Sequence, residues 1–310
     1  MCRALIYLGQ PIPLSNLLYR PDNSLVNQAL LPNKLDLLNL AGFGVMAWES
    51  RSHNPQLPFR YATSSLPVFD RNLKALSEKL TPECVISHVR GVAYSITSQV
   101  SELNTHPFCF SNCKVALAHN GDLHKIDIMK QDLLQFIKPE FFRQISGTTD
   151  SEWVYALILS QLDNPYDSPD RAELIGAVRR SLSIIRNIRS KHGIDISSSL
   201  NLFIATGTKV LAVRYCFDFG CYAKERPEAV MTQEANLSYL SLWYTTGKDF
   251  GLHDGEWKMV GGEETATSLL IASEPLTKDT TFWSEVPEYS AVFGSLLDAK
   301  PTIEVFPLEV

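Results

Sequence analysis

Position 2 of the 310-residue chain is a cysteine, and removal of Met1 would leave its thiol and its own α-amine on one residue. A free α-amine titrates near about 7.7–8.0 and a cysteine thiol near about 8.5, so at neutral pH the amine is partly unprotonated and can accept the thiol proton. That pair is an N-terminal nucleophile, and the plainer alternative is a small residue following the initiator methionine. Asn120-Gly121 ends the apolar run 115–119. A side-chain amide and a backbone N–H aimed at one point make an oxyanion hole, whereas Asn-Gly is equally the commonest hairpin-turn signal. Arg90 follows the apolar run 85–89, where a guanidinium can clamp a carboxylate bidentately or make a surface ion pair. Asp150 opens a helical stretch, whose dipole favours the ionised carboxylate; it is a cap or a receptor for an ammonium. As a set, Cys2, Asn120 and Gly121 with Arg90 and Asp150 describe a pocket for an amino acid whose side-chain acyl group is attacked.

The elements that must hold these residues are mixed. Strand-type runs are expected at 4–8, 44–48, 85–89 and 115–119. Two helices follow. In 151–162 the apolar positions Val154, Leu157, Ile158 and Leu162 recur at helical spacing behind a capping-box pattern at Thr149-Asp150-Ser151-Glu152. In 170–191 the apolar face is Leu174, Val178, Leu182, Ile185 and Ile188, and His192-Gly193 is the stop. Strands then return at 201–205, 210–217, 237–244, 269–272 and 303–307. Strands, a helix block and strands again predict an α+β layered fold with mainly antiparallel sheets, not a doubly wound parallel sheet. The chain contains no GxGxxG, P-loop or GxSxG motif, which argues against three common α/β chemistries.

Composition narrows the function classes. Hydrophobic residues make up 45% and charged residues 20%, which is globular, and neither a repeat nor a linker divides the chain, so 1–310 reads as one domain. The net charge of −6 argues against nucleic acid as a partner, and the basic residues of 171–191 read as a solvated helix face. The absence of an apolar run of ~18 residues argues against a membrane span, so a cytoplasmic protein is expected. Six cysteines without a CxxC are expected to be reduced thiols, Cys216 and Cys221 among them as buried ones.

Beyond these readings, the chain resembles the class II glutamine amidotransferases, N-terminal-nucleophile hydrolases with a four-layer αββα sandwich. The resemblance is carried, in the family's order, by Met1-Cys2-Arg3, Ala41-Gly42-Phe43-Gly44-Val45, His88-Val89-Arg90, Asn104-Thr105-His106-Pro107-Phe108, Ala118-His119-Asn120-Gly121 and Gly147-Thr148-Thr149-Asp150-Ser151-Glu152. Ile271-Ala272-Ser273-Glu274-Pro275-Leu276-Thr277 is similar to a late element of the same group. Within the family the chain is similar to stand-alone members such as the γ-glutamyl hydrolase of ergothioneine biosynthesis and the amidotransferase-like subunit of glutathione degradation. The resemblance implies Cys2 as nucleophile, its α-amine as base, Asn120 and Gly121 as oxyanion hole, Arg90 for a substrate α-carboxylate and Asp150 for an α-ammonium. It also implies a γ-glutamyl thioester later hydrolysed by water. Two departures stand out. Ergothioneine-type members read Asp-Gly-Phe-Gly where this chain has Ala41-Gly42-Phe43-Gly44, and Gly91-Val92-Ala93 replaces the Trp-Ala-Thr that follows the arginine in class II synthases.

His106 and His119 flank the site and are expected in supporting roles, because the α-amine already supplies the base. Together with Cys109 and Cys113 they also allow a zinc reading, but the spacings do not match paired zinc ligands, so neither a metal nor any other cofactor is expected. The leading expectation is an amidohydrolase that cleaves glutamine or a γ-glutamyl-conjugated small metabolite. The alternatives are a glutaminase subunit feeding ammonia to a partner synthetase, a homo-oligomer of either kind, and a degenerate binding protein of the same fold. Residues 278–310 form a C-terminal extension without an assigned role.

Overall fold

The computed structural model describes residues 2–33, 38–92, 100–219, 221, 240–295 and 302–310. Its strands, in chain order, are β1 (Arg3–Leu8), β2 (Phe43–Trp48), β3 (Phe59–Thr63), β4 (Cys84–Val89), β5 (Ala116–Asp122), β6 (Ser198–Ala205), β7 (Lys209–Arg214) and β8 (Cys216–Phe217). The later ones are β9 (Trp243–Gly247), β10 (Asp249–His253), β11 (Glu256–Val260), β12 (Ser268–Ala272), β13 (Ser284–Glu285), β14 (Ser290–Ser295) and β15 (Thr302–Pro307). The helices are α1 (Ser15–Leu18), α2 (Arg71–Ser77), α3 (Ile126–Leu133), α4 (Pro139–Phe142), α5 (Asp150–Ser160) and α6 (Arg171–Lys191).

Every residue of β1, β2, β4, β6, β7, β12 and β14 is buried, so these strands are covered on both faces. This is why they read as continuous apolar runs instead of alternating ones. One antiparallel sheet has the order β13-β9-β12-β1-β4-β2-β3 and the other β15-β14-β7-β6-β5, with β8 on β6. The period of two sorts the side chains of each strand into layers. Ala4, Ile6 and Leu8 of β1 meet Ala116 and Ala118 of β5 and Phe203 of β6 between the two sheets. Leu5 and Tyr7 point the other way, toward α1 and α2. Leu117, Leu202 and Ile204 face α5 and α6 on the far side of the second sheet. Helices, sheet, sheet and helices therefore stack in four layers, as the αββα expectation requires.

α6 runs over the expected stretch. Asp170 caps it by accepting from Glu173 N at 2.8 Å, and Gly193 ends it in the left-handed region at φ +60°, where a β-carbon is unfavourable. Several details differ from the sequence reading. Thr149 precedes α5 without a side-chain cap, because the Glu152 carboxylate turns back to accept from Ser146 N and Gly147 N instead. The run 210–217 breaks at Tyr215 into β7 and β8, and the strand expected over 237–244 begins at Trp243, with 237–239 outside the described residues. Arg189 leaves the solvated face of α6: it is buried, donates to Asp218 Oδ2 and Ser198 Oγ at 2.8 Å each, and covers the Phe217 ring. Cys221 is exposed whereas Cys216 is buried, and all six cysteines are free thiols. The hairpin β10–β11 lies outside the expected strands, although its turn, Asp254-Gly255 with both φ positive, carries a strong hairpin signal.

Candidate active site

The same period of two that builds the layers also gathers the candidate residues. In β1 the even positions face the inter-sheet space, so Cys2 lies at the end of that row. In β4 the row is Cys84, Ile86, His88, and Arg90 is the next member just beyond the strand. In β5 the row Ala116, Ala118 ends in Asn120, and in β12 the row Leu269, Ile271 continues to Ser273. Four strand ends from two sheets thus deliver Cys2, Arg90, Asn120 and Ser273 to one end of the inter-sheet layer.

Their contacts agree with this placement. Cys2 is buried, with Sγ 3.5 Å from Gly91 O. Arg90 is also buried and is locked into the sheet through Arg90 N to Gly42 O at 2.8 Å and Ala41 N to Arg90 O at 2.9 Å. Burial lowers the pKa of its guanidinium, and the neighbouring Cys2 and Asp150 charges pull it back up, so the cation sits in the field of both. Ala41, at the position of the aspartate in the related motif, is buried and contributes backbone to this ladder. Asn120 and Gly121 lie inside β5, paired with Asn201 and Leu200 of β6, which rules out the hairpin-turn reading. Asn120 Nδ2 donates to Ser273 Oγ at 2.8 Å, and Ala4 N donates to the same oxygen at 3.0 Å.

Asp150 is the first residue of α5. Its Oδ2 accepts from Leu123 N at 2.6 Å and its Oδ1 from Ser151 N at 2.9 Å, which fixes the carboxylate just beyond the end of β5. The loop leading to it is held twice more. Asn104 Oδ1 accepts from Thr148 N at 2.8 Å and Glu152 Oε2 from Gly147 N at 2.7 Å, and a Cβ on Gly147 would lie 2.4 Å from Asn104 Oδ1. The Asn104 motif and the Gly147 motif are therefore two halves of one support for Asp150.

His119 and Gly121 share the other face of β5. His119 Nε2 lies 3.1 Å from Ser199 O, and a carbonyl only accepts, so Nε2 carries the hydrogen and Nδ1 faces Ser151 Oγ at 2.9 Å. His106 Nδ1 accepts from His119 N at 3.3 Å, and its ring packs against that of His88, tilted by 40° with centroids 4.2 Å apart. Burial holds both His88 and His106 well below the usual histidine range, helped by the nearby Arg90 charge, so both are neutral at physiological pH. His106 and His119 are both buried in the packing behind the site. Cys109 packs toward the inter-sheet core and Cys113 toward the helix-side core, so the four groups of the zinc reading do not converge. Among the described residues no group of three or more His, Cys, Asp or Glu side chains could hold a metal ion, and no helix is long and apolar enough to cross a membrane. Tyr94 and the end of the Gly91-Val92-Ala93 stretch lie outside the described residues.

Sequence reasoning missed three groups. Ser273 joins the strand of Cys2 to Asn120, and Ser151 and Ser199 hold His119. The buried pair Arg3 Nε to Glu274 Oε2 at 3.2 Å also pins the nucleophile, because Arg3 Nη1 donates to Cys2 O at 3.1 Å. Ser273 and Glu274 belong to the 271–277 motif, the one signal in the sequence that led to them.

Comparisons with known proteins identify the family. Residues 41–230 match the family model of class-II glutamine amidotransferases, a span that includes Arg90, Asn120, Gly121 and Asp150. Over 99% of its length the chain is 32% identical to "Probable glutamine amidotransferase DUG3" of Saccharomyces cerevisiae, covering 84% of that protein. A class-II glutamine aminotransferase domain protein from Silicibacter pomeroyi has the same fold at a TM-score of 0.57 and 18% identity, with 99% of this chain and 100% of that one covered. Glutamine phosphoribosylpyrophosphate amidotransferase from B. subtilis matches the whole chain over 50% of its own length, at a TM-score of 0.51 and 15% identity. With four layers, N-terminal-nucleophile topology and this match of sequence, the chain belongs to the class II glutamine amidotransferase family.

Proposed function

We propose that the protein is a cysteine-dependent amidohydrolase that cleaves the γ-amide of glutamine or of a γ-glutamyl-conjugated small metabolite, releasing glutamate and an amine. The observation that carries this reading is the meeting of Cys2, Arg90 and Asn120 at one end of the inter-sheet layer, with Asp150 in the field of Arg90. A buried cation in the field of a fixed carboxylate suits the two ends of an α-amino acid, and a nucleophile at the same end of the layer supplies the group that attacks its side-chain acyl carbon.

Once Met1 is removed, the α-amine of Cys2 takes the thiol proton, and Sγ bonds to the γ-carbonyl carbon. The oxygen that gains the electron pair accepts from Asn120 Nδ2 and Gly121 N–H. Collapse of this intermediate breaks the C–N bond, and the departing amine carries away the proton held by the α-ammonium. Water then loses a proton to the same amine and attacks the thioester, giving the γ-carboxylate of glutamate and restoring the thiol. Neither a metal nor a redox partner is needed to balance these steps.

The test is intact mass before and after incubation with 6-diazo-5-oxo-L-norleucine, with peptide mapping, alongside glutamate release from glutamine and from γ-glutamyl dipeptides. The expected result is a chain without Met1, a single adduct on Cys2 and turnover that Cys2→Ala abolishes. Turnover retained by Cys2→Ala, or an adduct elsewhere, would remove Cys2 from the reaction. The relative rates on glutamine and on the conjugates identify the leaving amine.

A further inference from the structure

Ser273 stands one residue beyond β12, is 1% exposed, and turns its side chain into the inter-sheet layer. It is tied to β1 through both its backbone and its side chain: Ser273 N donates to Ala4 O at 2.9 Å, while Ala4 N donates to Ser273 Oγ at 3.0 Å. Ser241 Oγ holds its carbonyl at 2.9 Å. A hydroxyl oxygen has two acceptor positions. Ala4 N–H takes one, and Asn120 Nδ2 takes the other across the two sheets at 2.8 Å. Around it the two sheets meet largely through apolar side chains, and this hydrogen bond is a polar link between the sheet that holds the nucleophile and the strand of the oxyanion donor.

The amide of Asn120 has no second anchor among the described residues. Asn120 is buried, its Oδ1 has no hydrogen-bond partner there, and one Nδ2 hydrogen is engaged by Ser273. The terminal torsion of an asparagine is broad and roughly two-fold, so packing alone does not decide which way the amide faces. We infer that Ser273 is a positioning residue for catalysis: by accepting one Asn120 Nδ2 hydrogen it fixes the amide so that the other points at the developing oxyanion. This rests on the reading of Asn120 as an oxyanion donor. Donors of this kind lower the barrier because their orientation is set before the reaction begins. Loss of the Ser273 acceptor leaves Asn120 in place but free to turn.

The test is a double-mutant cycle on purified enzyme with glutamine as substrate. Ser273→Ala is expected to lower kcat by about 10- to 100-fold with KM within about threefold, since the defect arises only as charge develops. Asn120→Ala is expected to lower kcat by about 10²–10³. The double variant should then be no worse than Asn120→Ala alone, because Ser273 has nothing left to orient. Alkylation of Cys2 by iodoacetamide, which develops no oxyanion, should proceed at the wild-type rate in Ser273→Ala. Additive losses in the cycle, or slowed iodoacetamide labelling, would mean that Ser273 serves the fold of β1 and would overturn the inference.

Should Ser273→Ala not fold, Ser273→Cys keeps the volume and weakens the acceptor. It is expected to lose kcat in the same direction, and full activity in it overturns the inference. Failure of the underlying reading looks different: Asn120→Ala itself would retain kcat within tenfold, whatever Ser273 does.

Discussion

Substitution of Gly121 by alanine adds one methyl group at the point where the second sheet touches the proposed oxyanion site. An ideal Cβ at Gly121 would lie 2.0 Å from Ser199 O and 2.4 Å from His119 Nε2. Ordinary contact begins at 3.4 Å, so the nearer atom is 1.4 Å too close, and it is a backbone carbonyl in β6 that cannot swing aside. Relief requires the end of β5 to move away from β6 by on the order of 1 Å, taking Asn120 and the Gly121 N–H with it. It also disturbs the 3.1 Å contact between His119 Nε2 and Ser199 O. A misplacement of about 1 Å can cost about 10² in rate, so kcat on glutamine should fall roughly a hundredfold. Overpacking of this kind costs about 1–3 kcal/mol. At about 2.1 cal/mol/K per residue, a 310-residue chain has an unfolding entropy near 0.65 kcal/mol/K, so Tm should drop by about 1.5–5 °C. The assay is steady-state glutamate release at saturating glutamine, with calorimetry on the same preparation. Gly176→Ala in α6 is the control, because its Cβ would meet only the mobile Nη1 of Arg180 at 3.1 Å, and a helical Gly→Ala change gains about 0.5–1 kcal/mol. A Gly121→Ala enzyme with kcat within threefold of wild type would refute the assignment of this strand end to the oxyanion.

Three further outcomes follow from the same geometry. Arg90→Lys should raise KM for glutamine by at least about tenfold through the lost bidentate fork, with a smaller change in kcat; an unchanged KM would separate Arg90 from the substrate carboxylate. Glu274→Gln leaves the buried Arg3 guanidinium without its counter-charge, which costs about 3–5 kcal/mol and should lower Cm in urea with m unchanged; an unaltered Cm would refute that role for the pair. Because burial keeps His88 and His106 neutral in the fold, each takes up a proton near pH 6.5 only when unfolded. Their contribution to stability is therefore complete above that pH and declines below it, by about 1.4 kcal/mol per pH unit for each histidine. His88→Leu should flatten the slope of unfolding free energy between pH 7 and 5 by one proton, and an identical slope in the two proteins would count against a neutral buried His88.

The layered α+β class was legible in the sequence because fully covered strands read as uninterrupted apolar runs, and α6 because its apolar stripe has a helical period with a cap and a glycine stop. The short elements were not legible. α1 and α4 have four residues each, too few to show a period, and β3 is only partly buried. The capping box failed because Glu152 found a better use in the loop before Asp150, a competition between tertiary partners that local pattern does not contain.

The residue types at Cys2, Arg90, Asn120, Gly121 and Asp150, and their order, were set by the sequence alone, since a nucleophile, an oxyanion donor and opposite charges are chemical properties of single residues. What the sequence left open at Asn120-Gly121, a turn or a strand end, was decided by pairing with β6, a strand about 80 positions away. That Ser273, 271 residues after Cys2 in the chain, joins the nucleophile strand to Asn120 was likewise decided only when β12 paired with β1 and the two sheets closed face to face. The physical reason is common to both. A side chain's chemistry is local, but its direction and partners come from register and layer packing, which are long-range properties of the folded chain.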